Sequence, residues 1–348
     1  MNMIKVLAYG TFALGILPGC GPAKPELHIY TWSDYIAKGV IAKFEKENGC
    51  VVKVDTFDSN EAMFARLKAG ASGYDIIMPS SYQIPAMIKC GMVLELDHSK
   101  LPNVRRNFDK DYAACILDPT FDYSVPYSVT YTGFAYRKDK AGDAPIDSWK
   151  VFETDAFKGR MSLLSDMRET IGGALKALGH SLNSTRKDEI DAAANMVIGW
   201  KRNVAKFDNE QYKKAVASSE WFVGLGYSSD VIQLMMEDGN IGFSLPKEGF
   251  TIAFDEMVVF SGSKQVDLAH RFINFCYDPD VAAANMSEVC SPMPVTGATA
   301  KLDGKLQKLM LLDAQTLSRG EVMRDFDDDR QDVRKMYMDA WDRVMAGE

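Results

Sequence analysis

The chain has 348 residues, 47% of them apolar, and a formal charge of −8 at pH 7. That length and composition can bury a large core in about two domains, and the acidic balance argues against a nucleic-acid partner, which would need a basic face. No apolar run reaches the roughly 18 residues that a membrane-spanning helix needs.

Taken in chain order, residues 1–19 read as a targeting segment. Lys5 supplies a short charged region and Val6 to Leu17 an apolar stretch too short to span a bilayer. Leu17-Pro18-Gly19-Cys20 then resembles a bacterial lipobox, in which Cys20 is lipidated, becomes the mature N-terminus and tethers the protein to a membrane. The alternative is an ordinary secretory signal cut near Gly19. Removing the segment takes away Lys5 and no acid, so the remaining chain is one charge more negative.

Leu27 to Tyr35 (LHIYTWSDY) is the most legible stretch. Leu27, Ile29 and Thr31 alternate with His28, Tyr30 and Trp32 as in a strand, which runs into Trp32-Ser33-Asp34-Tyr35. Ligands of α/β folds collect beyond the carboxyl ends of strands. An indole, a hydroxyl, a carboxylate and a phenol there suit a small ligand with a cationic head and an apolar body. They also suit a plain helix cap with two core rings. From Gly39, Val40, Ile41 and Phe44 share a helical face that stops at Gly49. Val51 to Phe57 is a second strand, and Asp58-Ser59-Asn60-Glu61 has the spacing of a helix cap, with Met63, Phe64 and Leu67 inward. Tyr74 to Met78 is an apolar run suited to a buried parallel strand, and it ends in Pro79-Ser80-Ser81-Tyr82. A helix to Gly91 and a strand at Val93 to Leu96 complete a βαβ pattern that predicts a parallel sheet.

Leu101 to Pro119 reads as loop, and Tyr123 to Arg137 as a long β-rich passage whose second half crosses into another lobe. A strand at Met161 to Leu164 precedes a helix opened by Ser165-Asp166-Met167-Arg168-Glu169, in which Asp166 and Glu169 have capping-box spacing. A second helix spans Ser184 to Lys201. Trp221 to Gly226 is a strand ending in Tyr227-Ser228-Ser229-Asp230 at a helix start. Ile241 to Leu245 and Phe250 to Phe260 are strands, the latter with Asp255 inside an apolar run, where a carboxylate is costly to bury unpaired. Helices follow at Val266 to Tyr277, Pro279 to Val289, around Leu302 to Leu312 and through Met336 to Val344. The acidic run Asp325 to Asp329 reads as a solvated loop.

Besides Cys20, the cysteines (Cys50, Cys90, Cys115, Cys276, Cys290) are odd in number and lack CxxC spacing. Buried free thiols are expected, one disulfide staying open, and neither a zinc site nor a redox dithiol is indicated. The four histidines are scattered. No metal and no cofactor is expected.

Four strand ends therefore carry rings and acids: Trp32/Asp34/Tyr35, Tyr82 with Ser81, Asp166/Glu169 and Tyr227/Asp230. Asp255 adds a fifth acid. If they converge, no basic motif beside them balances the charge, and crowded acids raise one another's pKa. A polycationic ligand removes that penalty, and ring faces can hold its ammonium groups. Micromolar affinity needs only about 8 kcal/mol. Charge-assisted hydrogen bonds of ~1.5–3 kcal/mol each and a buried four-carbon spine can supply it.

These residues match a known family. Through YTWSDY, FEKENG, DSNEAMFARLKAG, YDIIMPSSY, SDMRE, LPKEG, FINFCYDPDVA and AWDRVMAG, nearly all of the chain from Leu27 onward resembles the periplasmic spermidine/putrescine-binding receptors of bacterial ABC importers. The resemblance implies an α/β, two-lobed type II periplasmic-binding fold, each lobe a mostly parallel sheet flanked by helices and joined to the other by crossing strands. It places residues 26–134 and 255–298 in one lobe and 135–254 and 299–348 in the other. It implies a monomer, not an enzyme, that closes on putrescine or spermidine and presents it to a permease. Its ligand contacts fall on Trp32 and Asp34, with Ser33 and Tyr35 alongside, and on Tyr82, Glu169 (Asp166 one turn away) and Asp255. Tyr227 stands where family members carry a Trp. Ala253, Ser291 and Met323 replace a Trp, a Tyr and a Gln of spermidine-preferring members, while W-S-D-Y and the Tyr227/Asp230 spacing look like the putrescine-preferring branch. Putrescine is therefore expected to bind at least as well as spermidine. Three readings compete: a receptor of this fold for another solute, a hydrolase using paired acids, and an adhesive surface protein.

Overall fold

A computed structural model of the protein describes residues 23–310, 312–324 and 330–347. The targeting segment with Cys20 and the acidic run 325–329 lie outside the described residues.

The elements run β1 (Glu26–Thr31), α1 (Lys38–Asn48), β2 (Val51–Thr56), α2 (Asn60–Lys68), β3 (Ile76–Ile77), α3 (Ile84–Lys89) and α4 (Pro102–Asn107). The long strand β4 (Val125–Arg137) leads to α5 (Lys138–Ala141), β5 (Met161–Leu163), α6 (Met167–Ala177), α7 (Lys187–Lys201) and β6 (Val204–Phe207). Then come α8 (Gln211–Ala217), β7 (Val223–Tyr227), α9 (Ser228–Glu237), β8 (Ile241–Ser244) and β9 (Phe250–Val259). The chain closes with α10 (Val266–Cys276), α11 (Pro279–Val289), α12 (Gly304–Met310), α13 (Ala314–Leu317), β10 (Gly320–Val322) and α14 (Gln331–Ala346).

Two parallel sets of strands meet through two antiparallel crossing strands. β2, β1 and β3 are parallel, and β3 abuts β9 antiparallel. β7, β5 and β6 form the second parallel set, with β7 and β8 both antiparallel to β4. β4 and β9 pair with each other over Val125–Tyr131, and β4 then pairs with β7 and β8 from Thr132 onward. One strand therefore pairs with β9 through its first half and with β7 and β8 through its second.

Period-two alternation decides which side chains meet. Leu27 and Ile29 of β1 join Met257 and Val259 of β9 in a core with Phe44, Phe272 and Met286, while Tyr30, Val258 and Phe260 point into the opposite layer with Met63 and Leu67. The second lobe has its own core around Trp149, Phe152, Leu163, Trp200, Val223 and Tyr337. Val129, Tyr131, Phe250, Ile252 and Phe254 form a small cluster where the crossing strands run together. Leu302, Leu306 and Met310 pack with the first core. The lobe division we propose therefore moves 299–310 from the second lobe to the first.

Several expectations need correction. The helix after Phe57 is capped by Ser59, whose hydroxyl accepts from the Ala62 N–H at 3.1 Å, not by Asp58. Val93 to Leu96 is no strand: Val93 makes one bridge to Phe260 and the Leu94 N–H goes to the Val259 carbonyl, but the Leu96 N–H turns to Asp122, so no ladder forms. The stretch read as loop contains α4, begun by Pro102 at the first helical position and pinned by buried Val104. β6 and α8, between Lys201 and Trp221, are additions. The five cysteines in the described residues are free, but Cys90 is exposed and Cys115 half-buried.

Candidate functional site

β3 is short, yet its backbone continues the register on both sides: the Asp75 N–H donates to His28 O at 2.8 Å and the Met78 N–H to Tyr30 O at 3.0 Å. That fixes where Pro79 to Tyr82 leaves the sheet, beside the middle of β9, at the isolated bridge between Ser80 and Asp255. Asp255 accepts hydrogen bonds from both sides. Ser80 Oγ donates to Oδ1 at 2.6 Å, and the Tyr35 hydroxyl donates to Oδ2. Asn60, at the start of α2, steadies the turn: its Nδ2 donates to Ser80 Oγ at 3.1 Å and to the Tyr82 hydroxyl at 2.7 Å, and its Oδ1 accepts from the Ser80 N–H at 3.1 Å. Burial pushes the Asp255 carboxyl above its ordinary range, and the Ser80 and Tyr35 donors pull it back.

The second face comes from α6. Asp166 caps the helix by accepting from the Glu169 N–H at 3.0 Å, so the capping reading holds for Asp166. Glu169 does not complete a capping box. Its side chain is 5% exposed, and its Oε2 has no hydrogen-bond partner among the described residues. Burial, reinforced by the Asp166 charge, pushes the Glu169 carboxyl up to about 8, with the hydroxyls of Thr251 and Thr132 opposing the rise.

Two rings link these faces. The Tyr227 phenol is raised by burial first, then by Asp166, Glu169, Tyr212 and Tyr82. The Tyr82 phenol is raised by burial, then by Glu61, Asp166 and Asp255, with Asn60 opposing. Tyr82 thus lies within electrostatic reach of acids from both lobes. The arrangement brings together Tyr35, Tyr82, Asp166, Glu169, Tyr227 and Asp255. Trp32 packs edge-on against Phe57 with centroids 4.4 Å apart, and its Nε1 is buried without a partner among the described residues. Ser33 and Asp34 are exposed, Asp34 with φ of 53°, and among the described residues no hydrogen bond joins either to the acids. Ser81 turns away from the rings: its Oγ faces the Phe254 carbonyl at 3.0 Å and Glu256 at 2.6 Å.

Asp230 departs from the expectation of acids without a basic neighbour. Tyr212 OH donates to its Oδ2 at 2.7 Å, and Lys213 Nζ lies 3.4 Å from its Oδ1. The same Tyr212 oxygen accepts from the Tyr227 N–H at 3.1 Å. The Tyr212 ring crosses β7 at Gly226, where a Cβ would fall 2.3 Å from it, so only glycine fits. Asp230 therefore braces Tyr227 through Tyr212.

Sequence reasoning missed Ser80, Asn60, Thr132, Thr251 and Tyr212. The Pro-Ser-Ser run offered two serines with no means to choose. Only the bridge to β9 shows that Ser80 faces Asp255. No group of three or more acids, histidines or cysteines able to hold a metal is found among the described residues, nor any helix long and apolar enough to cross a membrane.

The family described as bacterial extracellular solute-binding protein matches residues 39–309. A putrescine/cadaverine-binding protein of Pseudomonas aeruginosa is 34% identical over 96% of this chain and 98% of its own length. Among solved structures, the spermidine/putrescine ABC transporter substrate-binding protein PotD of Streptococcus pneumoniae, in complex with calcium and HEPES, is 28% identical. It superposes with a TM-score of 0.84 over 93% of this chain and 99% of that one. The TpPotD lipoprotein of Treponema pallidum is 31% identical, with a TM-score of 0.83 over 92% of this chain and 99% of that one.

Proposed function

The chain belongs to the bacterial extracellular solute-binding proteins, and from that membership we propose that it is a receptor for a linear diamine or polyamine, putrescine or spermidine, which it captures between its lobes and hands to an ABC transporter permease. One observation carries the reading: two buried carboxylates, Asp255 within reach of Tyr82 and Glu169 within reach of Tyr227, are linked by rings that both feel Asp166 and each other. Although the Arg168 charge acts on Glu169, no ion pair to either acid is found among the described residues. An ammonium at each acid, with a methylene chain between Tyr82 and Tyr227, supplies the missing charge. The contacts we assign are Trp32, Tyr35, Ser80, Tyr82, Asp166, Glu169, Tyr227 and Asp255, with Ser33 and Asp34 at the rim. Ser81 and Asp230 act from behind.

Names of the relatives support the ligand class and the transporter partner. The small residues Ala253 and Ser291 favour the shorter ligand, so putrescine binds at least as well as spermidine. Calorimetry with both ligands tests this, and spermidine winning by about tenfold, or 1.4 kcal/mol, overturns the preference. The protein works outside the cytoplasm as a monomer, tethered through a lipid on Cys20, and without catalysis. Mass spectrometry of the mature protein tests the lipid. Scattering that records no compaction on adding putrescine counts against closure of the lobes.

A further inference from the structure

Glu256 follows Asp255 on β9, so its side chain turns to the opposite face of the strand. It is 1% exposed and forms no ion pair among the described residues. Ser81 Oγ lies 2.6 Å from its Oε1, and the Ser124 hydroxyl, just ahead of β4, bonds its Oε2. The same Ser81 Oγ lies 3.0 Å from the Phe254 carbonyl.

The protons can be counted. A serine hydroxyl has one to give. With Glu256 ionised, Ser81 must choose between the carboxylate and the Phe254 carbonyl. With Glu256 neutral, its own proton goes from Oε1 to Ser81 Oγ, the Ser81 proton goes to the Phe254 carbonyl, and the Ser124 proton goes to Oε2. Every donor then has one acceptor.

We propose that Glu256 is a positioning residue for the ligand site, held as a neutral acid that fastens the Ser80–Tyr82 turn to β9. The Glu256 N–H bonds the Pro79 carbonyl at 2.9 Å, so backbone and side chain grip the two ends of the same short turn. That turn carries Ser80, which bonds Asp255, and the Tyr82 ring. The titratable groups facing Glu256 are Asp255 beside it, Asp118 from the loop before β4 and Tyr277 from the end of α10, and none is a cation. In keeping with that, burial, reinforced by Asp118 and Asp255 and opposed by Ser124 and Ser81, raises the Glu256 carboxyl to about 7, so the neutral form prevails on the acid side of that value.

The positioning role rests on the diamine reading, so the test has two arms. Glu256→Gln mimics the neutral acid, its amide donating to Ser81 and accepting from Ser124. It retains putrescine affinity within about threefold, whereas Glu256→Ala loses about tenfold or more while keeping its circular dichroism, the cost of one unmade buried hydrogen bond. In the second arm, urea midpoints without ligand are compared at about pH 5 and about pH 8. A neutral native Glu256 makes wild type lose stability relative to Glu256→Gln as pH rises, because the native state holds the extra proton. A Glu256→Gln deficit that is the same at both pH values overturns the neutral acid, and a folded Glu256→Ala that binds like wild type overturns the positioning role. If Glu256→Ala does not fold, affinity and urea midpoints of Glu256→Gln decide. If wild-type protein binds no diamine, the ligand reading falls while the urea arm still judges the protonation state.

Discussion

Asp255 on β9 and Glu169 on α6, linked through the Tyr82 and Tyr227 rings and proposed to hold the two ends of one ligand, are prepared differently by the fold. Asp255 sits inside β9 with a hydroxyl on each oxygen, from Ser80 and Tyr35. Ser80 is held in turn by Asn60, and Tyr35 by Tyr127, whose hydroxyl donates to the Tyr35 carbonyl at 3.1 Å and whose ring packs 5.5 Å from the Tyr35 ring, so this acid is oriented before any ligand arrives. Glu169 rides in the first turn of α6, with its Oε2 unpartnered among the described residues and Asp166 one turn behind it. Burial raises both carboxyls, opposed at Asp255 by Ser80 and Tyr35 and at Glu169 by Thr251, Thr132 and the Arg168 charge. One lobe offers a prepared anchor, the other an acid that burial raises to about 8 and whose Oε2 is unpartnered among the described residues. Two carboxyls with one task can therefore divide it, one fixing position and one reporting arrival.

Removing the anchor should have the largest effect. Asp255→Asn leaves an ammonium buried without its counter-charge, which costs about 2–5 kcal/mol, or roughly thirtyfold and upward in putrescine affinity. Calorimetry reads it directly. A loss below about threefold would mean that Asp255 does not meet the ligand and that the contrast between the lobes is misplaced.

Glu169→Gln sharpens the other half. Because the Glu169 carboxyl is raised to about 8, wild-type protein at neutral pH must give up a proton to pair with an ammonium. Putrescine affinity should therefore climb as pH rises toward about 8 and then level, and binding should release close to one proton in buffers of different ionisation enthalpy. Glu169→Gln should bind about tenfold more weakly near neutral pH and lose that pH dependence and most of the proton release. Proton release unchanged in the variant would assign the proton elsewhere.

The same acid leaves a smaller mark on the unliganded fold. Its folded-state value lies above the ordinary 4.5, so its contribution to stability is complete below 4.5 and is lost as pH rises through about 8. Glu169→Gln should flatten that decline in urea melts, and putrescine should reverse it, adding ~2.7 kcal/mol at a hundredfold excess over Kd.

How much of this contrast can be read without coordinates depends on which interactions are local. Val40, Phe44 and Gly49 announce α1 because helix period and C-terminal glycine are local properties, β1 follows from alternation, and β9 from its apolar run. The two-residue β3 was legible only as part of an apolar run, and Val93 to Leu96 misled because β-forming side chains say nothing about partners. The acids and rings were legible as residue types beyond strand ends. Their division of labour was not. Ser80 rather than Ser81 faces Asp255 because of a bridge 175 positions away in sequence, and Asp230 meets Lys213 across two helices. Such pairings are fixed by tertiary register, which no spacing encodes.

Asp230 supplies the finest test of the comparison. If the second lobe's acids are meant to wait for a cation, an acid that already has one should matter little to the ligand's charge. Tyr212 and Lys213 engage both Asp230 oxygens, and Tyr212 holds the Tyr227 backbone in place. Asp230→Asn keeps an oxygen for the Tyr212 hydroxyl and loses only the pairing with Lys213, which is exposed enough to be worth ~0–1 kcal/mol. Putrescine affinity should fall by no more than about threefold, with the pH profile set by Glu169 intact. A loss as large as that of Asp255→Asn would make Asp230 a third direct contact, with Lys213 a stand-in for the ligand's ammonium, and the second lobe would then hold a prepared anchor of its own.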